Sequence, residues 1–208
     1  MLTPYLSQCP LIAILRGITP EQSLPVTRVL LDAGFCMVEV PLNSPKPFDS
    51  INAISAEFGD SALIGAGTVT AVGDVEKVHQ AGGKLIFSPN CNLSVIEKTK
   101  QYDMVSIPGC CTPSEVFAAL EGGADAIKFF PSDIVTPPAV KAMRAVLPAI
   151  PLLAVGGINN DNMLPYLQAG IRGFGIGSSL YKPGKSLEHI KVSAQQIIEA
   201  FRYAEKNA

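Results

Sequence analysis

Glu121-Gly122-Gly123-Ala124-Asp125-Ala126-Ile127-Lys128-Phe129-Phe130 joins a helix-like approach to a short apolar run through a pair of glycines. Glycine just past a helix is the natural left-handed stop, because it takes positive φ without a Cβ penalty. The apolar run that follows is what a parallel strand covered on both faces should look like. The unit recurs. Asp32-Ala33-Gly34 precedes Met37-Val38-Glu39-Val40, and Gln80-Ala81-Gly82-Gly83 precedes Lys84-Leu85-Ile86-Phe87. Gln168-Ala169-Gly170 precedes Gly173-Phe174-Gly175-Ile176-Gly177.

Between these units lie four further strand candidates, Leu11–Leu15, Ala62–Ala66, Met104–Ile107 and Leu152–Val155. Helix starts fall where an alternation needs them. Thr19-Pro20-Glu21-Gln22 and Thr112-Pro113-Ser114-Glu115 read as capping boxes with proline in the first turn, and Ser94-Val95-Ile96-Glu97 reads as a third. Strands and helices alternating every ~20–25 residues predict βα units and a parallel sheet. Eight such units predict a (β/α)8 TIM barrel, one domain over residues 1–208. The rival is a doubly wound open sheet. It would bring a G-x-G-x-x-G turn after the first strand, where this chain reads Arg16-Gly17-Ile18.

The 208 residues are 48% hydrophobic and 16% charged, which excludes disorder. A net charge of −2 without any Lys/Arg cluster excludes broad attraction to nucleic acid or an anionic membrane. The expected partner is a small molecule. Five cysteines, with no C-x-x-C pair and with Cys110 beside Cys111, do not form a secreted framework. No apolar stretch reaches membrane-spanning length and no secretory leader is visible, so the expected location is cytoplasmic. His79 and His189 are far apart in helical-looking segments, so neither a metal nor another cofactor is expected. Cys110 and Cys111 read as packing residues.

A barrel gathers chemistry at the C-terminal ends of its strands. Lys128 sits there between apolar neighbours. If it points inward, Ile127 and Phe129 face the helices, and burial favours a neutral amine able to attack a ketone. The alternative is a lysine that snorkels to solvent. Lys84, at the start of its strand, is the expected example of that behaviour. Glu39 is the other ionisable group in an apolar strand. It reads as a general acid/base, against the alternative of an inert buried ion pair with the lysine. Arg16 closes the first strand, where it could grip a carboxylate or phosphate bidentately or form a rim salt bridge. Thr68, after Gly65-Ala66-Gly67, reads as a donor to a carboxylate or as a helix cap. Gly156-Gly157 and Gly177-Ser178-Ser179 close strands seven and eight, where barrels frequently bind phosphate, and a following helix N-terminus would add its dipole. Ser132 is a further candidate there.

With these residues in place the chain resembles the bacterial class I aldolases of 2-keto-3-deoxy-6-phosphogluconate and its galactonate epimer. The resemblance runs from Pro10-Leu11-Ile12-Ala13-Ile14-Leu15-Arg16-Gly17 to Gly177-Ser178. It is carried by Val38-Glu39-Val40-Pro41-Leu42-Asn43-Ser44, Gly65-Ala66-Gly67-Thr68-Val69 and Ile127-Lys128-Phe129-Phe130-Pro131-Ser132. It implies that Lys128 is the Schiff-base lysine and Glu39 the acid/base. Arg16, Thr68 and Pro89 match positions lining the pyruvyl end, and Gly157, Gly177 and Ser178 match the phosphate cradle. The assembly implied is a homotrimer. Where the gluconate branch carries Thr-Leu-Arg-Thr, this chain reads Pro41-Leu42-Asn43-Ser44, similar to the galactonate branch. The implied substrate is 2-dehydro-3-deoxy-6-phosphogalactonate, giving pyruvate and D-glyceraldehyde 3-phosphate. The gluconate epimer, a phosphosugar isomerase or epimerase, and a non-catalytic sugar-phosphate-binding barrel are the competing readings.

Overall fold

The computed structural model describes residues 1–208. Nine strand segments alternate with nine helices. The strands are β1 (Leu11–Ile14), β2 (Met37–Pro41), β3 (Leu63–Gly67), β4 (Leu85–Phe87), β5 (Val105–Ser106), β6 (Gly109–Cys110), β7 (Ile127–Phe129), β8 (Leu152–Val155) and β9 (Gly173–Ile176). Helix α1 (Thr3–Gln8) precedes them, and α2 (Pro20–Ala33), α3 (Pro47–Phe58), α4 (Val72–Gln80) and α5 (Leu93–Gln101) follow β1 to β4. Helix α6 (Pro113–Glu121) follows β6, and α7 (Pro137–Arg144), α8 (Met163–Gln168) and α9 (Leu187–Lys206) follow β7 to β9. Every pairing is parallel, in the order β5-β4-β3-β2-β1-β9-β8-β7-β6.

The α/β alternation and the parallel sheet are as expected, and strand residues are buried throughout, as coverage on both faces requires. One strand is corrected. Instead of an unbroken Met104–Ile107 the chain forms β5 and β6, separated by Ile107 and Pro108, and the two segments stand at opposite ends of a curled sheet. Proline has no N–H to give a ladder, so regular pairing stops there.

The repeating glycines behave as their sequence context implies. Gly34, Gly82, Gly123 and Gly170 all have positive φ, between 83° and 112°. The helix starts follow their sequence patterns less uniformly. Thr112 and Glu115 form a full capping box at α6. Thr19 is the N-cap of α2 but makes no side-chain cap bond. Ser94 is no cap at all: Asn92 fills that role at α5, accepting from the Ser94 N–H at 3.1 Å. Asparagine caps as well as serine does, and local pattern cannot choose between them. Cys110 is buried, whereas Cys111 is half-buried and its thiol donates to the Phe130 carbonyl at 2.8 Å. No helix is long and apolar enough to cross a membrane.

Candidate active site

The strand ends enclose a cavity of about 490 Å³. Eight of the residues singled out above line it: Lys128, Glu39, Arg16, Thr68, Pro89, Gly157, Gly177 and Ser178. They come from seven different strand ends, so only closure of the sheet brings them together. Lys84, by contrast, is exposed at the start of its strand.

Lys128 lies in the middle of β7, 5% exposed, between Ile127 and Phe129, which are wholly buried in the core. Its amine therefore projects into the cavity while its neighbours pack outward. The Nζ atom stands 4.1 Å from the ring centre of Phe87 and 4.8 Å from that of Phe130, and makes no hydrogen bond or close ion pair. Ring faces compensate a charge weakly compared with water. Burial accordingly pulls the ammonium down to about 8, an effect opposed by the charge of Glu39 and assisted by Arg16.

Glu39 projects from β2, 2% exposed, and its Oε2 atom has no hydrogen-bond partner. Burial pushes its carboxyl up to about 7, against the attraction of Lys128 and Arg16. The carboxyl and the amine are thus both drawn toward neutrality in one cavity, and no direct salt bridge joins them. The inert ion pair has no geometric support.

Thr68 follows β3 with φ of 58°, a left-handed conformation that a β-branched residue adopts only under constraint. The cap reading fails here, since α4 starts at Val72 with Ala71 as its N-cap. Arg16 is also not in a salt bridge. Its guanidinium donates to the Asn43 side-chain oxygen at 3.1 Å, and no carboxylate lies within ion-pair distance.

Gly156 and Gly157 carry φ of 95° and 70°. The N–H groups of Gly157, Gly177 and Ser178 donate to no backbone carbonyl, so the cavity wall there presents free amides. Two expectations about this end are corrected. Ser132 is buried away from the cavity, and its hydroxyl donates to the Val155 carbonyl at 3.0 Å. Nor does a helix start at the turns: α8 begins at Met163 and α9 at Leu187, beyond the first-turn reach of a helix dipole.

Sequence reading missed several lining residues, chiefly Gly17, Phe130, Tyr181 and Lys182. Lys182 is exposed at the mouth, and its ammonium has no hydrogen-bond or ion-pair partner. The signal was a cation in the loop directly after the glycine turn at Gly177. Tyr181 is buried, and its hydroxyl donates to Gln22 at 3.2 Å.

Residues 3–197 match the family model described as "KDPG and KHG aldolase". The 2-dehydro-3-deoxy-6-phosphogalactonate aldolase of Escherichia coli (strain K12) is 46% identical over 95% of this chain and 97% of its own. A probable 2-dehydro-3-deoxy-6-phosphogalactonate aldolase of Rhizobium meliloti (strain 1021) is 44% identical over 92% and 91%. The solved structure described as native KDPGal superposes with a TM-score of 0.94 at 46% identity, covering 96% of this chain and 97% of that one.

Proposed function

This chain belongs to the KDPG and KHG aldolase family, and we propose that within it the chain cleaves 2-dehydro-3-deoxy-6-phospho-D-galactonate to pyruvate and D-glyceraldehyde 3-phosphate. The observation that carries this reading is the Lys128 amine, buried and without a hydrogen bond, facing a cavity that it shares with buried Glu39.

In the proposed cycle neutral Lys128 attacks the C2 ketone, forming a C–N bond. Glu39 supplies a proton as the carbinolamine loses water and an iminium forms. Deprotonation of the C4 hydroxyl breaks the C3–C4 bond, whose electron pair moves into the iminium as an enamine. The aldehyde departs. The enamine takes a proton at C3, water attacks C2, and pyruvate leaves with the amine restored. A carboxyl held near neutrality can give and take protons at working pH. Arg16, Thr68 and Pro89 would hold the pyruvyl carboxylate end, and the free amides of Gly157, Gly177 and Ser178 the phosphate.

The Pro41-Leu42-Asn43-Ser44 stretch and the names of the two relatives support the galactonate epimer. An eight-stranded (β/α)8 barrel, with β5 and β6 as halves of one strand, is supported by backbone bonds on both sides of the break. Ile107 donates to Ile86 at 2.9 Å, while Lys128 donates to Pro108 at 3.0 Å and Phe130 to Cys110 at 3.3 Å. A single cluster of 63 buried hydrophobic residues supports one domain over 1–208. A cytoplasmic homotrimer completes the reading, on the family resemblance.

Borohydride with pyruvate should leave a reduced adduct on Lys128, located by peptide mass. Pyruvate release from each epimer, coupled to lactate dehydrogenase, should favour the galactonate compound. An adduct on Lys84 instead, or turnover with no adduct, overturns the mechanism.

A further inference from the structure

The loop after β2 grips the turn after β1 at two points. The Arg16 guanidinium donates to Asn43 Oδ1 at 3.1 Å, and the Gly17 N–H donates to Ser44 Oγ at 2.9 Å. Ser44 is buried, which fixes the second bond, whereas Asn43 is exposed. From the other side Gly17, at φ of 82°, packs so closely on Pro183 that a Cβ there would lie 2.8 Å from its ring. The Arg16-Gly17 turn is therefore clamped between two neighbouring loops at the cavity mouth.

The chemistry of the clamp matters as much as its position. An amide oxygen orients a guanidinium but carries no charge. A carboxylate at the same position would orient it equally well and neutralise it. Arg16 has five N–H donors, and Asn43 takes one. The remainder, with the full charge, stay available to an anion entering the cavity.

We propose that Asn43 is a positioning residue that aims Arg16 at the pyruvyl carboxylate while leaving its charge uncompensated. This rests on the aldolase reading of the site. Residue 43 acts through Arg16 and touches no reacting atom, so its effect falls on ground-state binding of the keto acid and spares the chemical step.

Pyruvate itself is the probe. The measured quantity is the pyruvate concentration that half-saturates borohydride trapping on Lys128, for wild type, Asn43→Ala, Asn43→Asp, Arg16→Met and the double variant Asn43→Asp/Arg16→Met. Because residue 43 is exposed, its variants should fold, and circular dichroism checks that they do. Loss of one exposed hydrogen bond should raise half-saturation about threefold in Asn43→Ala. Added charge compensation should raise it about fivefold in Asn43→Asp, with kcat for pyruvate release within about threefold of wild type. In the Arg16→Met background the Asn43→Asp effect should vanish, since the two act as one unit. Equal half-saturation in wild type and Asn43→Asp, or full additivity in the double variant, overturns the proposal. Absence of any adduct in wild type at saturating pyruvate instead overturns the aldolase reading beneath it.

Discussion

Gly67 leaves the space that the Glu39 carboxylate occupies: a Cβ built at residue 67 would overlap both carboxylate oxygens. The two residues lie on adjacent strands, in register two pairs apart, with Glu39 opposite Gly65 and Pro41 opposite Gly67. The glycine is thus required by the acid/base on the neighbouring strand and not by its own backbone.

Gly67→Ala should therefore displace the Glu39 carboxyl while leaving Lys128 in place. Proton transfer by a positioned side chain contributes on the order of 10²-fold or more, so kcat should fall by about that factor. Overpacking should cost about 1–3 kcal/mol in denaturant unfolding. A variant with wild-type kcat would show that the carboxyl does not need this position.

Lys128 holds a folded-state value near 8 against an ordinary 10.5, so between those pH values the unfolded chain binds a proton that the native chain has released. Native stability consequently rises with pH across that window. Lys128→Met should be more stable than wild type below about pH 7, where the buried ammonium is charged and Glu39 largely neutral, and the advantage should shrink above pH 8. Urea midpoints across pH test this. A pH-independent difference would mean the amine is well solvated in the native state.

The charge of Glu39 raises the Lys128 value, against the larger opposing effect of burial. Glu39→Gln should move the amine titration to lower pH, read from the ε-carbon NMR shift of labelled lysine. A shift to higher pH, or none, would mean that the two groups do not sense each other.

Much of this arrangement was legible in the sequence because glycine stops and apolar runs are local signals. They located the strands, and strand ends located Lys128, Glu39 and Arg16. What escaped depends on tertiary context. Pro108 interrupts pairing where periodicity suggests only that a strand ends nearby. The choice of Asn92 over Ser94 as cap is made by how the chain enters α5. The left-handed turn at Thr68 has no signal at all, since threonine is a poor residue for it. Lys182 lies in an irregular loop whose path over the cavity is fixed by Pro183 against Gly17, a contact far apart in sequence.

Strain at Thr68 should separate stability from binding. Thr68→Gly relieves the positive φ at the cost of a more flexible unfolded chain, and the balance should raise Tm by about 2–4 °C. Loss of the hydroxyl should at the same time raise the pyruvate concentration that half-saturates trapping. Thr68→Ala, which keeps the strain and loses the hydroxyl, should weaken binding similarly without the gain in Tm. A Tm for Thr68→Gly at or below wild type would place the strain elsewhere.

Of the two exposed cations that line the cavity, Arg16 is held by Asn43 and the Lys182 ammonium has no protein partner. Lys182 shares a loop with Gly177 and Ser178, whose amides are free. Such a cation should serve the phosphate end of the cavity and be irrelevant to pyruvate. Lys182→Met should raise KM for the phosphorylated substrate about tenfold at low ionic strength, as expected for one hydrogen bond to a charged group. The difference should narrow as salt is added, since an exposed charge is screened. Half-saturation by pyruvate should stay at the wild-type value, because pyruvate does not reach the phosphate end. Equal weakening of pyruvate and of the phosphorylated substrate would place Lys182 at the carboxylate end, and no change in either would leave the phosphate to the backbone amides alone.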